Sequence, residues 1–229
     1  MKSIVFDTGP IISLTTNNLL GLLNKLKEHY NGNFYITKAI KNELIERPLA
    51  TKKFKFEALQ VLRCINAGLV KVFNSKELRK TTLNLLNLAN TSFKAREKYM
   101  QIVHFAEIEG IAAAIINKSD AFAVDERNTR LLIEDPIRLK KILGKRLHTQ
   151  ITVNKKSLDE FRNLTKNIKL IRSVELVTIA YELGLLDKYI VNIKNPRKAL
   201  LEGVLWGVKL NGASVSEREI KEIVKMEIK

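Results

Sequence analysis

Short apolar runs alternate with longer amphipathic stretches along the chain. Runs of four or five apolar, β-branched or aromatic residues predict strands at 3–6, 34–37, 69–73, 121–124 and 168–171. Apolar positions at helical spacing predict helices that include residues 19–26, 38–45, 54–67, 77–89, 95–103, 105–117 and 173–183. The helix at 38–45 is expected to end before Pro48, because proline disfavours a helical residue ahead of it.

Strands that alternate with helices predict a mainly parallel sheet with helices on both faces. We therefore expect an α/β fold, a three-layer α/β/α sandwich with a mainly parallel central sheet. It would carry a helical insertion at about 75–104 and a helical tail from residue 191. Residues 138–167 are interpreted as a surface connection, with a short edge strand at 150–153.

Composition adds a strong positive charge to this picture. The 229 residues include 40 Lys and Arg against 24 Asp and Glu, a net charge of +16. Eleven Lys or Arg lie between Arg138 and Arg172 against only two acids. Such an excess favours a polyanionic partner, usually nucleic acid, although a Lys-rich proteome or a thermophile surface is an alternative explanation.

Membrane insertion and thiol chemistry are not expected. No apolar run approaches the roughly 18 residues that a spanning helix needs, and the N-terminus lacks a secretory pattern. The single Cys64 cannot form an internal disulfide or a cysteine metal cluster. We expect a cytoplasmic protein.

Acidic residues stand where the predicted elements begin or end. Asp7 and Asp125 directly follow strands, Glu43 lies on the helix after the second strand, and Glu107 and Glu109 begin the helix before the fourth. The carboxyl ends of parallel strands meet at one edge of a sheet. These carboxylates would repel each other there unless protons or metal ions neutralised them.

Oxygen ligands of this kind suit Mg²⁺ or Mn²⁺. A bound ion can lower the pKa of a water molecule and stabilise charge on a phosphoryl group, so the pattern indicates phosphodiester hydrolysis. Each acid alone has a simpler explanation, such as an N-cap for Asp7 or a complement to the helix dipole for Glu107.

The order of these motifs resembles the PIN-domain family of metal-dependent ribonucleases, including the archaeal and bacterial VapC-like members. The resemblance covers about residues 3–190. The matching segments are Ile4–Ile12, the helix that carries Glu43, Ala106–Ala114, Ala123–Arg127 and the helix from Arg172 to Gly184. One departure is Glu126, where many members carry a second aspartate.

The resemblance implies a divalent-metal-dependent endoribonuclease, toxin-like or RNA-processing, with residues 1–190 as the nuclease domain and 191–229 packed on it. Asp7, Glu43, Glu107 and Asp125 would be the catalytic, metal-binding acids, with Glu109 as the rival of Glu107. Thr8, Arg127 and Arg130 would contact substrate. Its expected partners are RNA, an antitoxin protein and a second copy of the chain, with the dimer formed through the helical insertion.

Two other function classes remain open at this point. A catalytically silent PIN-fold module that binds RNA or the ribosome would keep the fold and the charge. A doubly wound nucleotide-binding protein is a further alternative, although no glycine-rich turn follows the first strand.

Overall fold

A five-stranded parallel sheet forms the centre of the molecule. The structure is a computed structural model and describes residues 2–228. In spatial order the strands are β3 (Val70–Val72), β2 (Asn33–Ile36), β1 (Ser3–Phe6), β6 (Ala121–Ala123) and β8 (Leu170–Ile171). All four neighbouring pairs are parallel, so the predicted parallel sheet is confirmed.

Thirteen α-helical segments surround the strands in the described chain. They are α1 (Thr8–Thr16), α2 (Leu22–Tyr30), α3 (Lys38–Lys41), α4 (Arg47–Leu49), α5 (Lys55–Asn66), α6 (Leu78–Asn90), α7 (Phe105–Ile116), α8 (Arg127–Glu134), α9 (Pro136–Leu147), α10 (Lys155–Thr165), α11 (Ser173–Glu182), α12 (Pro196–Leu210) and α13 (Glu217–Glu227). None of the helices between residues 2 and 228 is long and apolar enough to cross a membrane.

Two apolar cores cover the two faces of the central sheet. Ile4 and Phe6 of β1 face one core, which contains α1, α2, α11 and the C-terminal helices, whereas Val5 faces the other core with α6 to α10. The alternation follows from the two-residue period of a strand. The result is the expected three-layer α/β/α sandwich, and the C-terminal helices belong to the same core as α1 and α2.

The predicted helix at 95–103 is wrong. Residues Phe93–Ala95 form β4 and Lys98–Tyr99 form β5, an antiparallel hairpin that pairs with β7 (Ile151–Val153) in a separate three-stranded sheet. The turn residues Arg96 and Glu97 both have positive φ angles of 47° and 63°, as a two-residue hairpin turn of type I′ requires. A strand at 150–153 was expected, but it pairs with this hairpin at the edge of a second sheet.

Two further expectations differ from the structure. The connection predicted over 138–167 contains α9, β7 and α10, which bury Leu139, Leu143 and Phe161. The helix after β2 does not end before Pro48 but continues through it, with a π-helical turn at Asn42–Glu46 between α3 and α4. Proline lacks the N–H that an α-helical bond would need, and the π-helical turn interrupts the α-helical hydrogen bonding just before it.

Candidate functional site

Asp7 stands at the centre of the carboxyl edge of the sheet. It follows β1, and its backbone N–H donates to the carbonyl of Ala123 at 2.8 Å, so the ends of β1 and β6 lie side by side. The residue is 5% exposed. Burial, and then the negative charges of Glu107 and Glu43, raise the pKa of the Asp7 carboxyl to about 7.

Glu43 reaches this edge from the π-helical turn after β2. Its Oε2 accepts a hydrogen bond of 2.8 Å from the Thr8 hydroxyl. The other oxygen, Oε1, is 3.9 Å from the guanidinium of Arg47, a side chain that is 71% exposed. Single π-helical turns are frequent at functional sites, and this one sets the direction of Glu43.

Glu107 lies in the first turn of α7 and contributes the third carboxylate. Its Oε2 accepts hydrogen bonds from the His104 backbone N–H at 3.1 Å and from the Thr129 hydroxyl at 2.8 Å. Burial is the main cause of a raised pKa for this carboxyl. The rival Glu109 is buried elsewhere, where its Oε2 accepts from the Ala39 N–H at 2.9 Å, at the start of α3.

Asp125 follows β6 and is 2% exposed. Both carboxylate oxygens are held by the protein: Oδ1 accepts from the Ser173 backbone N–H at 2.8 Å, and Oδ2 accepts from the Ser13 hydroxyl at 3.1 Å. Burial raises the pKa of this carboxyl, although these bonds oppose the shift. Ser13 and Ser173 therefore orient Asp125, a role that the sequence did not indicate.

The four predicted acids line a single cavity of about 240 Å³ at the carboxyl edge of the sheet. The remaining lining residues are Thr8, Gly9, His104, Ala106, Glu126 and Gly212. No lysine or arginine is among them, so the cavity concentrates negative charge. The structure thus brings together all four acids and leaves Glu109 outside.

The C-terminal segment forms one wall of this cavity. Gly212 lies in the turn between α12 and α13, and the neighbouring Asn211 carbonyl lies 3.4 Å from the Ser13 hydroxyl that also bonds Asp125. No pattern in the sequence indicates this contribution. Residues two hundred positions apart share no local pattern, so only the tertiary fold brings them together.

Arg127 and Arg130 lie beside the acidic cavity but do not line it. Arg130 donates from Nη1 to the Ser214 carbonyl at 3.2 Å, and its Nε is 3.9 Å from Glu134. Its guanidinium thus links α8 to the C-terminal turn. Arg127 is exposed at the start of α8, immediately after the cavity residue Glu126.

The carboxylate side chains are not arranged as in a complete metal-binding site. Among residues 2–228, no three His, Cys, Asp or Glu side chains are grouped closely enough to hold a metal ion. The bonds to Thr8, Thr129, Ser13 and Ser173 hold several carboxylate oxygens in other directions. The donors nevertheless suit a hard cation, because they are all carboxylate oxygens in a cavity whose lining contains no lysine or arginine.

Comparisons with family models, with curated proteins and with solved structures found no match to this chain. The resemblance to PIN-domain ribonucleases therefore stays a prediction from the sequence motifs.

Proposed function

We propose that the protein is a divalent-metal-dependent endoribonuclease that hydrolyses RNA phosphodiester bonds, as a toxin or as an RNA-processing enzyme. The observation that carries this proposal is the convergence of Asp7, Glu43, Glu107 and Asp125 on one cavity that has no lysine or arginine in its lining. Burial of several carboxylates without a cation costs free energy, and a bound cation would offset that cost.

Asp7, Glu43 and Glu107 would hold the ion, with Asp125 as a fourth acid close to it. When bound, Mg²⁺ or Mn²⁺ would supply a water of lowered pKa and charge stabilisation at the phosphoryl oxygens. Thr8 keeps Glu43 directed towards the Asp7 end of the cavity. Ser13 and Ser173 fix Asp125, so its position does not depend on the ion.

RNA is the proposed substrate because of the charge of the chain. A net charge of +16 favours a polyanion, and exposed basic side chains lie beside the acidic cavity, Arg127 among them. A homodimer formed through residues 75–104 and an antitoxin partner remain predictions from the family resemblance. A cytoplasmic location stays a prediction from the sequence.

The second candidate is a catalytically silent RNA-binding or ribosome-associated module. The observation in its favour is that the carboxylates, as they stand, form no group that could hold a metal ion. Such a module would bind RNA without divalent ions, and Asp7→Asn would leave or improve its RNA affinity because it removes a negative charge.

Cleavage of a labelled RNA pool in Mg²⁺, Mn²⁺ or EDTA tests the proposal. The wild type is compared with Asp7→Asn, Asp125→Asn and the control Asp159→Asn, which changes an exposed aspartate of α10. We expect metal-dependent cleavage by the wild type and the control only. Equal cleavage by all four proteins would refute the site. RNA binding without cleavage by any of them would favour the silent module.

A further inference from the structure

A second cavity, of about 660 Å³, lies next to the acidic one, between the start of α8 and the C-terminal turn. At two places in the chain, neighbouring residues line the two cavities. Glu126 and Gly212 line the acidic cavity, whereas the next residues, Arg127 and Ala213, line the second. A ligand that leaves the acidic cavity in this direction therefore meets the second cavity first.

Basic side chains dominate the lining of the second cavity. Five cations stand against two carboxylates, Glu219 and Glu222; the cations are Arg127, Arg130, Arg138, Lys209 and Arg218. Both carboxylates are already paired, Glu219 with Arg172 at 3.0 Å and Glu222 with Arg218 at 2.8 Å. The cavity thus keeps an excess of positive charge.

Three of the five cations are occupied by the protein itself. Arg130 donates to the Ser214 carbonyl, and Lys209 donates from Nζ to the Val215 carbonyl at 2.8 Å. Arg218 is paired with Glu222. Arg130 and Lys209 hold residues 213–215 in place, so they build the wall of the cavity and have little capacity for a ligand.

Arg127 and Arg138 are the two cations that remain. Both are exposed, and neither guanidinium has an ion pair or hydrogen bond with a side chain in the part of the chain that the structure describes. They lie at the starts of two consecutive helices, α8 and α9. A free guanidinium offers a planar fork of donors that matches phosphate oxygens.

We infer that this cavity binds backbone phosphates of the RNA strand outside the cleavage site, through Arg127 and Arg138, and that residues 209–219 complete it. The inference rests on the proposed function for the identity of the polyanion. None of the lining residues is aromatic, so the cavity offers no ring on which a base could stack. It suits a repeated phosphate and carries no sequence readout.

Fluorescence anisotropy with a labelled single-stranded RNA in EDTA tests the inference without cleavage. The test variant is Arg127→Gln/Arg138→Gln. The control, Arg63→Gln/Lys118→Gln, removes two exposed charges near the amino edge of the sheet, where α5 leads to β3 and α7 leads to β6. Because the two variants lose the same net charge, any difference in their RNA affinity reports the position of the removed charges.

We expect the test variant to bind roughly tenfold more weakly than the wild type. The slope of log Kd against log salt should fall by about 1.4, since a single strand contributes about 0.7 for each phosphate contact. The control should change little, and Arg127→Lys/Arg138→Lys should recover most of the affinity. Equal losses in test and control, or no loss in either, would overturn the assignment.

Competition separates a polynucleotide from a smaller phosphate ligand. At equal phosphate concentration, unlabelled RNA should displace the probe, while inorganic phosphate and a mononucleotide should not. Equal displacement by the mononucleotide would overturn the assignment to an RNA backbone. This binding assay contains no metal, so its result does not depend on cleavage. If the RNA binds here as described but is not cleaved in the assay with Mg²⁺ or Mn²⁺, only the nuclease proposal is refuted.

Discussion

Asp7→Asn should stabilise the protein at neutral and alkaline pH when no divalent ion is present. The Asp7 carboxyl is buried beside Glu107 and Glu43, and its pKa rises from 3.8 to about 7 in the folded protein. Folding therefore raises the affinity of this group for a proton, and ionisation above pH 7 opposes folding. Asparagine has a similar shape and never ionises, so it avoids this cost.

The size of the stability difference follows from the shift in the pKa of Asp7. A rise from 3.8 to about 7 is roughly three pKa units, and at about 1.36 kcal/mol per unit it corresponds to at most about 4 kcal/mol. The folded-state pKa lies above the unfolded one, so wild-type stability relative to the variant is unaffected below about pH 4. It falls as pH rises towards 7 and is lowest above pH 7.

Urea denaturation followed by circular dichroism measures this difference. Wild type, Asp7→Asn and the control Asp159→Asn would be unfolded in EDTA at a series of pH values from 4 to 8. We expect the Asp7→Asn advantage to grow from near zero to a few kcal/mol across that range, with no trend in the control. An advantage that does not depend on pH, or a less stable variant at pH 8, would refute the reasoning.

Mg²⁺ should then stabilise the wild type and leave Asp7→Asn unchanged, because a ligand stabilises only the protein that binds it.

Two further substitutions test the packing that supports the site. Gly110→Ala on α7 should destabilise the fold by about 1–3 kcal/mol in urea denaturation, because a Cβ there would lie 2.6 Å from the Phe122 ring; Gly203→Ala, where nothing lies within 4 Å, is the matched control and should be neutral or stabilising. Arg172→Gln should cost about 1–3 kcal/mol, since its guanidinium bonds Glu175, Glu219 and the Ser214 carbonyl. Arg218→Gln, which breaks only an exposed pair, should leave stability nearly unchanged, and equal losses in the two arginine variants would contradict this account.

The sequence was informative where local pattern and sheet geometry act together. Asp7 and Asp125 could be placed at one edge because each follows a buried strand, and parallel strands share that edge. Glu107 and Glu109 could not be separated with certainty by pattern, since both lie in the first turns of α7. The tertiary fold separates them. The Glu109 carboxylate accepts a hydrogen bond from the Ala39 N–H, whereas Glu107 lines the acidic cavity.

Other features depend on contacts that local pattern does not encode. The hairpin at 93–99 has Arg96 and Glu97 at its turn, where glycine or asparagine would have been the usual signal. Its first strand, β4, is held by pairing with β7, more than fifty residues later. The π-helical turn before Pro48 and the approach of Gly212 to the acids likewise arise from packing between distant segments.

The position of β1 inside the sheet has a consequence for synthesis of the protein on the ribosome. β1 and β2 emerge early, but the strand that pairs with the other side of β1 is β6, at Ala121–Ala123. At roughly 5–20 residues per second, synthesis from Ile36 at the end of β2 to Ala123 at the end of β6 takes about 4–17 s, and the edge of β1 that pairs with β6 stays open for that time. An unpaired edge of Ser3–Phe6 is a site for aggregation during this interval. The nascent chain should therefore depend most on chaperone protection before β6 emerges from the ribosome.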